Sequence, residues 1–157
     1  MEKNTIIKYK VHLLAILLSG FFLFIDQVLK YFARMNTDFV YYIWRPWLGW
    51  EYFENNGIAF SIPFSNTLII ILTPIIILAL FIILTKQKNP SKYFVLGIIL
   101  IIAGAISNLV DRILFTTTID YLRLLTWIIN LADILILTGV GLLVFEEFRQ
   151  KKRKKIL

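Results

Sequence analysis

Two aspartates, Asp120 and Asp133, stand at the edges of strongly apolar stretches, where an ionised carboxylate is costly to keep and seldom idle. Brought close together, two carboxylates do not both ionise cheaply. Burial beside lipid then leaves the pair sharing a proton near neutral pH. In that state the ionised member takes a proton from a water held between them. The protonated member hydrogen-bonds a carbonyl and later returns a proton to a leaving amine. The chemistry is amide hydrolysis without a metal or a covalent intermediate. Proton conduction along acidic helices needs the same residue types, and a noncatalytic membrane scaffold tolerates them, so the pair alone leaves three function classes open.

The elements that must position these acids follow from composition. A chain of 157 residues with 59% hydrophobic residues and a mean hydropathy of +0.76 buries its apolar surface in lipid. Four stretches, near 11–29, 67–85, 93–110 and 127–145, match the roughly 17 to 25 residues that a membrane-crossing helix needs. This predicts an all-α membrane protein of one domain, 1–157, with excursions at 31–66 and 111–126. The net charge of +7 is sorted by loop and so encodes orientation rather than a nucleic-acid partner. Lys3, Lys8 and Lys10 precede the first span, Lys86, Lys88 and Lys92 fill the second connection, and Arg149 and Lys151 to Lys155 close the chain. Both termini and that connection are therefore expected in the cytoplasm. The basic start followed by an apolar run is read as a retained first helix rather than a cleaved leader, because no A-x-A site follows and Asp26 and Lys30 punctuate its end.

The excursion 31–66 holds twelve of the 24 aromatic residues, a composition suited to the headgroup boundary. Stretches 39–44, 49–54 and 58–62 are rich in aromatic and β-branched residues and are broken by Pro46, Gly49, Gly57 and Pro63. They predict a small β-rich cradle between the first two helices, the competing reading being a generic aromatic anchor.

Polar residues inside the spans share faces. Gly104, Asn108 and Asp111 are spaced by four and three, Ser19, Asp26 and Lys30 by seven and four, and Asn130 and Asp133 lie one turn apart. Each also has a structural reading. Asp26 and Lys30 make an intrahelical ion pair at spacing four, Asp111 and Arg112 suit a helix-end salt bridge, and the asparagines suit interhelical hydrogen bonds. Asp120, in the loop 115–125, would be a solvated acid in most proteins. Asp133 lies inside an apolar run and needs a partner or a proton. The absence of cysteine excludes a thiol protease and a cysteine-ligated metal, and the place of His12 in the inner half of the first helix, far from the carboxylates, disfavours a histidine-containing metal site and a serine–histidine mechanism.

Taken in order, the motifs resemble those of the lipoprotein signal peptidases. Asp26-Gln27-Val28-Leu29-Lys30 is similar to the family's D-Q-x-x-K, and Asn55-Asn56-Gly57-Ile58-Ala59-Phe60-Ser61 to its N-x-G-x-A-F-S. Gly104 to Arg112 resembles G-A-x-x-N-x-x-D-R, Ile119-Asp120-Tyr121 stands where V-D-F is usual, and Asn130-Leu131-Ala132-Asp133 is similar to N-x-A-D. The resemblance implies that Asp120 and Asp133 are the catalytic pair. It gives Asn55, Gly57, Asn108, Asp111, Arg112 and Asn130 supporting or substrate-binding roles and leaves Asp26 and Lys30 as structural polar residues.

The resemblance further implies removal of the signal peptide from diacylglyceryl-modified prolipoproteins, on the amino side of the lipidated cysteine, by a monomer that needs no cofactor or metal. The expected place is a bacterial cytoplasmic membrane, with the site on the extracytoplasmic side, in contact with lipid and open to globomycin-type cyclic peptides. Three departures bear on specificity. Ile129 stands where phenylalanine is usual, Ile134 where a small residue is common, and the link from Arg112 to Asp120 is short.

Overall fold

Lipid offers no partner to backbone polar groups, so a chain facing it satisfies them inside helices. The computed structural model describes residues 2–58 and 62–154, with the side chains of 2–9 and 154 not described. It consists mainly of four helices, α1 (Glu2–Met35), α2 (Asn66–Lys86), α3 (Lys92–Phe115) and α4 (Leu131–Lys154). Among the described residues, three helices, over Lys10–Met35, Asn66–Lys86 and Lys92–Phe115, are long and apolar enough to cross a membrane. α4 is as long as α3, but Asp133, Glu146 and Glu147 put three acids in it. Apolar side chains such as Leu14, Leu17, Phe24, Ile75 and Leu78 point outward, and α2 buries no residue. Such a surface is stable against hydrocarbon and not against water.

α3 and α4 meet at glycines. A Cβ on Gly97 would lie 2.9 Å from the Gly139 carbonyl oxygen, and one on Gly139 would lie 2.6 Å from that of Gly97. A Cβ on Gly104 would lie 2.5 Å from the carbonyl oxygen of Ala132, next to Asp133. The expected close approach at Gly104 is thus present, and it sets the start of α4 against the end of α3.

The strands depart from the expectation. β1 (Tyr41–Trp44) and β2 (Leu48–Asn55) come from the first excursion, but β3 (Thr118–Leu124) and β4 (Trp127–Ile129) come from the second. All four form one antiparallel sheet in the order β1-β2-β3-β4. The cradle is therefore shared between both excursions rather than confined to the stretch between α1 and α2. Asp120 lies on a strand, not in a loop. The helix expected at 127 begins at Leu131, because Trp127–Ile129 pairs with β3. α1 and α3 run to Met35 and Phe115, each about a turn or more past the expected ends. Of the expected third strand, residues 59–61 lie outside the described residues, as do the side chains of Lys3 and Lys8 and all of Lys155.

The sheet packs on α1. Ile119 and Tyr121 are buried against Ala33, with Leu29, Trp50, Tyr52, Leu122 and Leu131 around them, and the Trp50 and Tyr121 rings stack at 4.8 Å. Thr116, in the left-handed region with φ 63°, ends α3 and turns the chain directly into β3. A β-branched residue is uncommon there. This tight exit accounts for the short link between Arg112 and Asp120.

Candidate active site

Successive side chains of a strand point to opposite faces. With Ile119 and Tyr121 turned toward α1, Asp120 between them faces the other way, and it is fully buried. Its neighbour across the sheet is Phe53, two residues before Asn55 at the end of β2. Asn55 Nδ2 donates to Asp120 Oδ2 at 2.9 Å, while its Oδ1 accepts the Gly57 N–H at 2.9 Å.

Asn130 supplies the second contact and joins the two acids. Its Nδ2 donates to Asp120 Oδ1 at 2.6 Å, and its Oδ1 accepts the N–H of Asp133 at 2.9 Å. The Asn130 N–H reaches back to Asp133 Oδ2 at 3.5 Å. Asn-x-x-Asp thus works as a reciprocal cap on the first turn of α4, with the acid at the third helical position. That spacing was the sequence signal for a helix start at 131. Asp133 Oδ1 accepts a further bond from Asn108 Nδ2 on α3, at 2.9 Å.

Burial first, and the nearby Asp133 charge second, push the Asp120 carboxyl up to about 7, against the opposing pull of the two amide bonds and of Lys30. No ion pair reaches either acid among the described residues. Nor does any group of three or more His, Cys, Asp or Glu residues among them converge to hold a metal ion.

A second polar cluster lies beside the pair. Lys30, 1% exposed, bridges Asp26 Oδ2 at 2.9 Å and Asp111 Oδ2 at 3.0 Å. The expected pair at spacing four is present, and the expected helix-end salt bridge of Asp111 is made to Lys30. Asp111 Oδ2 also accepts the N–H of Ile119, which fixes β3 next to Asp120. Asp26 accepts bonds from the Ser107 hydroxyl at 2.6 Å, the Tyr121 hydroxyl at 2.8 Å and the Ala132 N–H at 3.2 Å. Ser19 does not join the cluster, since its buried hydroxyl has no hydrogen-bond partner among the described residues.

Arg112 reaches the first excursion, donating to Gly57 O and, at 3.1 Å, to Asn66 Oδ1. It thereby ties the turn after Asn55 and the start of α2 to the end of α3. Asp120, Asp133, Asn55, Asn108 and Asn130 form one site, Gly57 and Arg112 brace it, and Asp26, Lys30 and Asp111 lie behind it.

Sequence reasoning gave no role to Gln27, Ser107 or Tyr121. Gln27 Nε2 donates to the Ser107 hydroxyl at 2.8 Å and to Asp111 Oδ1 at 3.2 Å, and the Tyr121 hydroxyl accepts the Leu131 N–H at 3.1 Å. For Tyr121 alternation offered no signal, because Thr118 to Tyr121 are buried on both faces of the strand. Of the departures, Ile129 is buried on β4 while Ile134 faces outward at 37% exposure.

The chain is similar to known proteins over most of its length. The family model described as signal peptidase (SPase) II matches residues 18–149, which include every residue of the site. A lipoprotein signal peptidase of Bartonella tribocorum is 37% identical, over 83% of this chain and 84% of its own. One of Brucella ovis is 35% identical, over 84% and 88%. A bacterial membrane enzyme solved in meso at 2.3 Å superposes with a TM-score of 0.83 and 27% identity, covering 89% of this chain and 90% of that one. The match spans the membrane helices, both excursions and the acids they enclose, and the chain therefore belongs to the signal peptidase II family.

Proposed function

We propose that this chain is an aspartic endopeptidase of the membrane, removing the signal peptide from diacylglyceryl-modified prolipoproteins on the amino side of the lipidated cysteine. Family membership supports a protease acting on prolipoproteins. The observation that carries the catalytic type is the pair Asp120 and Asp133, joined through Asn130 and lacking a cation partner among the described residues. With Asp120 held up at about 7, the pair keeps one proton over the neutral range. Asp133 then takes a proton from water as its oxygen bonds to the scissile carbonyl carbon. Asp120 donates to the carbonyl oxygen to give a gem-diol; Asp133 then returns its proton to the nitrogen as the C–N bond breaks, and Asp120 takes back a proton from a diol hydroxyl as the carboxyl product forms.

The remaining features fit a substrate that is itself an apolar helix pinned at the outer interface by its acyl chains. α4 serves as a fourth span, its acids confined to its two ends. The basic connection and termini face the cytoplasm, which places the sheet and the acids at the extracytoplasmic surface. A bacterial cytoplasmic membrane, direct contact with lipid, and inhibition by globomycin-type acylated cyclic peptides follow from this reading. Both acids come from one chain, so a monomer suffices.

The test is to replace Asp120 and Asp133 singly by asparagine and to measure signal-peptide release from a lipidated precursor, with the unlipidated precursor as control. Turnover at the wild-type level by either variant ends the reading. A proton pathway through Asp26, Asp111 and Asp133 is disfavoured because Lys30 ties up the first two. Acid-dependent flux in liposomes without proteolysis would revive it.

A further inference from the structure

An ammonium has three donors and no acceptor. In Lys30 two of them meet Asp26 and Asp111, and the third goes to Asn108 Oδ1 at 2.8 Å, with the Ser107 hydroxyl farther away at 3.5 Å. A side-chain amide has an accepting end and a donating end, and only the accepting end is compatible with a buried cation. With Oδ1 held by Lys30, Asn108 Nδ2 is turned the other way, where it donates to Asp133 Oδ1 at 2.9 Å. A reversed amide would set an oxygen against that carboxylate, tolerable only if the acid carried a proton.

Among the described residues, the charged groups that face Asp133 from the elements around it are Asp26 and Lys30 of α1, Asp111 and Arg112 of α3 and Asp120 of β3. Of the two cations, Arg112 spends its bonds on Gly57 and Asn66. Lys30, acting through Asn108, is the hydrogen-bonded route by which positive charge reaches the acid.

We propose that Lys30 is a positioning residue for the reaction: by fixing the orientation of the Asn108 amide it presents an N–H to Asp133 and selects the ionised form of that acid as the acceptor of the water's proton. This rests on the catalytic pair proposed above, and it gives Lys30 a role beyond the buried ion pair.

The experiment compares Lys30→Gln with the charge-balanced double variant Lys30→Gln/Asp111→Asn, measuring kcat, KM and the pH profile on a lipidated precursor. The expected result in both is a kcat reduced roughly 10-fold or more with KM nearly unchanged, because both residues are buried behind the acids. The acid limb of kcat moves to higher pH. Adding Lys30→Gln to Asn108→Ala costs little beyond Asn108→Ala alone, since the lysine acts through that amide.

Additive losses, or an acid limb that stays put in a folded variant, overturn the proposal. If Lys30→Gln does not fold, the charge-balanced variant decides, and its failure to fold as well assigns Lys30 to the fold alone and overturns it too. The two readings separate cleanly. Full turnover by Asp133→Asn removes the catalytic pair itself, whereas an inactive Asp133→Asn beside an unshifted Lys30→Gln removes only the positioning role.

Discussion

Two clusters of aspartates lie side by side at one end of the helix bundle, and the fold treats them in opposite ways. Asp26 and Asp111 share the Lys30 ammonium and fill their remaining oxygens with hydroxyl, amide and backbone donors. Asp120 and Asp133 receive amide donors from Asn55, Asn108 and Asn130 and, among the described residues, no cation. Neutral donors hold a carboxylate in place without cancelling its charge. The paired cluster therefore ties together α1, α3, β3 and α4, and the unpaired one keeps a proton it is able to exchange. Asp26, Asp111 and Asp120 are all buried and Asp133 is half-buried, so among the buried acids it is the partner that separates the two clusters.

The sharpest way to break this comparison is to remove a charge from each side. Asp120→Asn and Asp133→Asn are expected to lower turnover by roughly 1,000-fold or more while leaving the protein folded. Asp26→Ala is expected to do the reverse, costing about 3–5 kcal/mol of stability by leaving the Tyr121, Ser107 and Ala132 donors without their acceptor and Lys30 with Asp111 as its one remaining carboxylate. Thermal unfolding in detergent alongside a cleavage assay separates the two. If Asp26→Ala unfolds no more easily than wild type, the paired cluster is not the structural element described.

A smaller effect is expected at the brace. Arg112→Lys loses the fork that holds Gly57 and Asn66 together, a loss of about 1.5–3 kcal/mol read as roughly 10- to 100-fold in kcat/KM. At the helix contact, Gly104→Ala drives a methyl into the Ala132 carbonyl and shifts the turn that carries Asp133. The expected cost is about 1–3 kcal/mol, seen as a lower Tm with a parallel fall in kcat.

The finest test concerns protons. Asp120 has a folded-state pKa of about 7 against 3.8 for an ordinary aspartate, so its protonation favours the fold. That contribution is complete below about pH 4 and is lost as pH rises through about 7. Asp120→Asn is not able to ionise there, and its Tm should decline less than that of wild type over this window. Removing the Asn55 amide takes away a bond that favours the ionised form. Asn55→Ala should therefore move the alkaline limb of activity up, by up to roughly one pH unit. A limb that moves down would mean that Asn55 favours the protonated acid.

Much of this was legible along the chain. The first three spans follow from long apolar runs, because a hydrocarbon layer demands about 20 such residues whatever the neighbours are. Asp26 and Lys30 pair as their spacing requires, and Gly104 approaches its neighbour as a small residue permits. The second half of the sheet was not legible. Residues 127–129 are apolar and run into an apolar helix, so composition merges them with it, and only pairing with β3 separates them. Asp120 was misplaced in a loop for a related reason. A strand buried on both faces shows no polar alternation, and Thr118 to Tyr121 are all buried.

The sequence by itself determined a membrane protein with acids at span edges, because hydropathy and helical spacing are local properties that no tertiary arrangement overrides. Which acid meets which partner was decided only in three dimensions. Lys30 lies 81 residues from Asp111, and Asn55 lies 65 from Asp120. The reach of a side chain across packed elements has no trace in spacing along the chain. That reach is what left one pair of carboxylates neutralised and the other free to hold a proton.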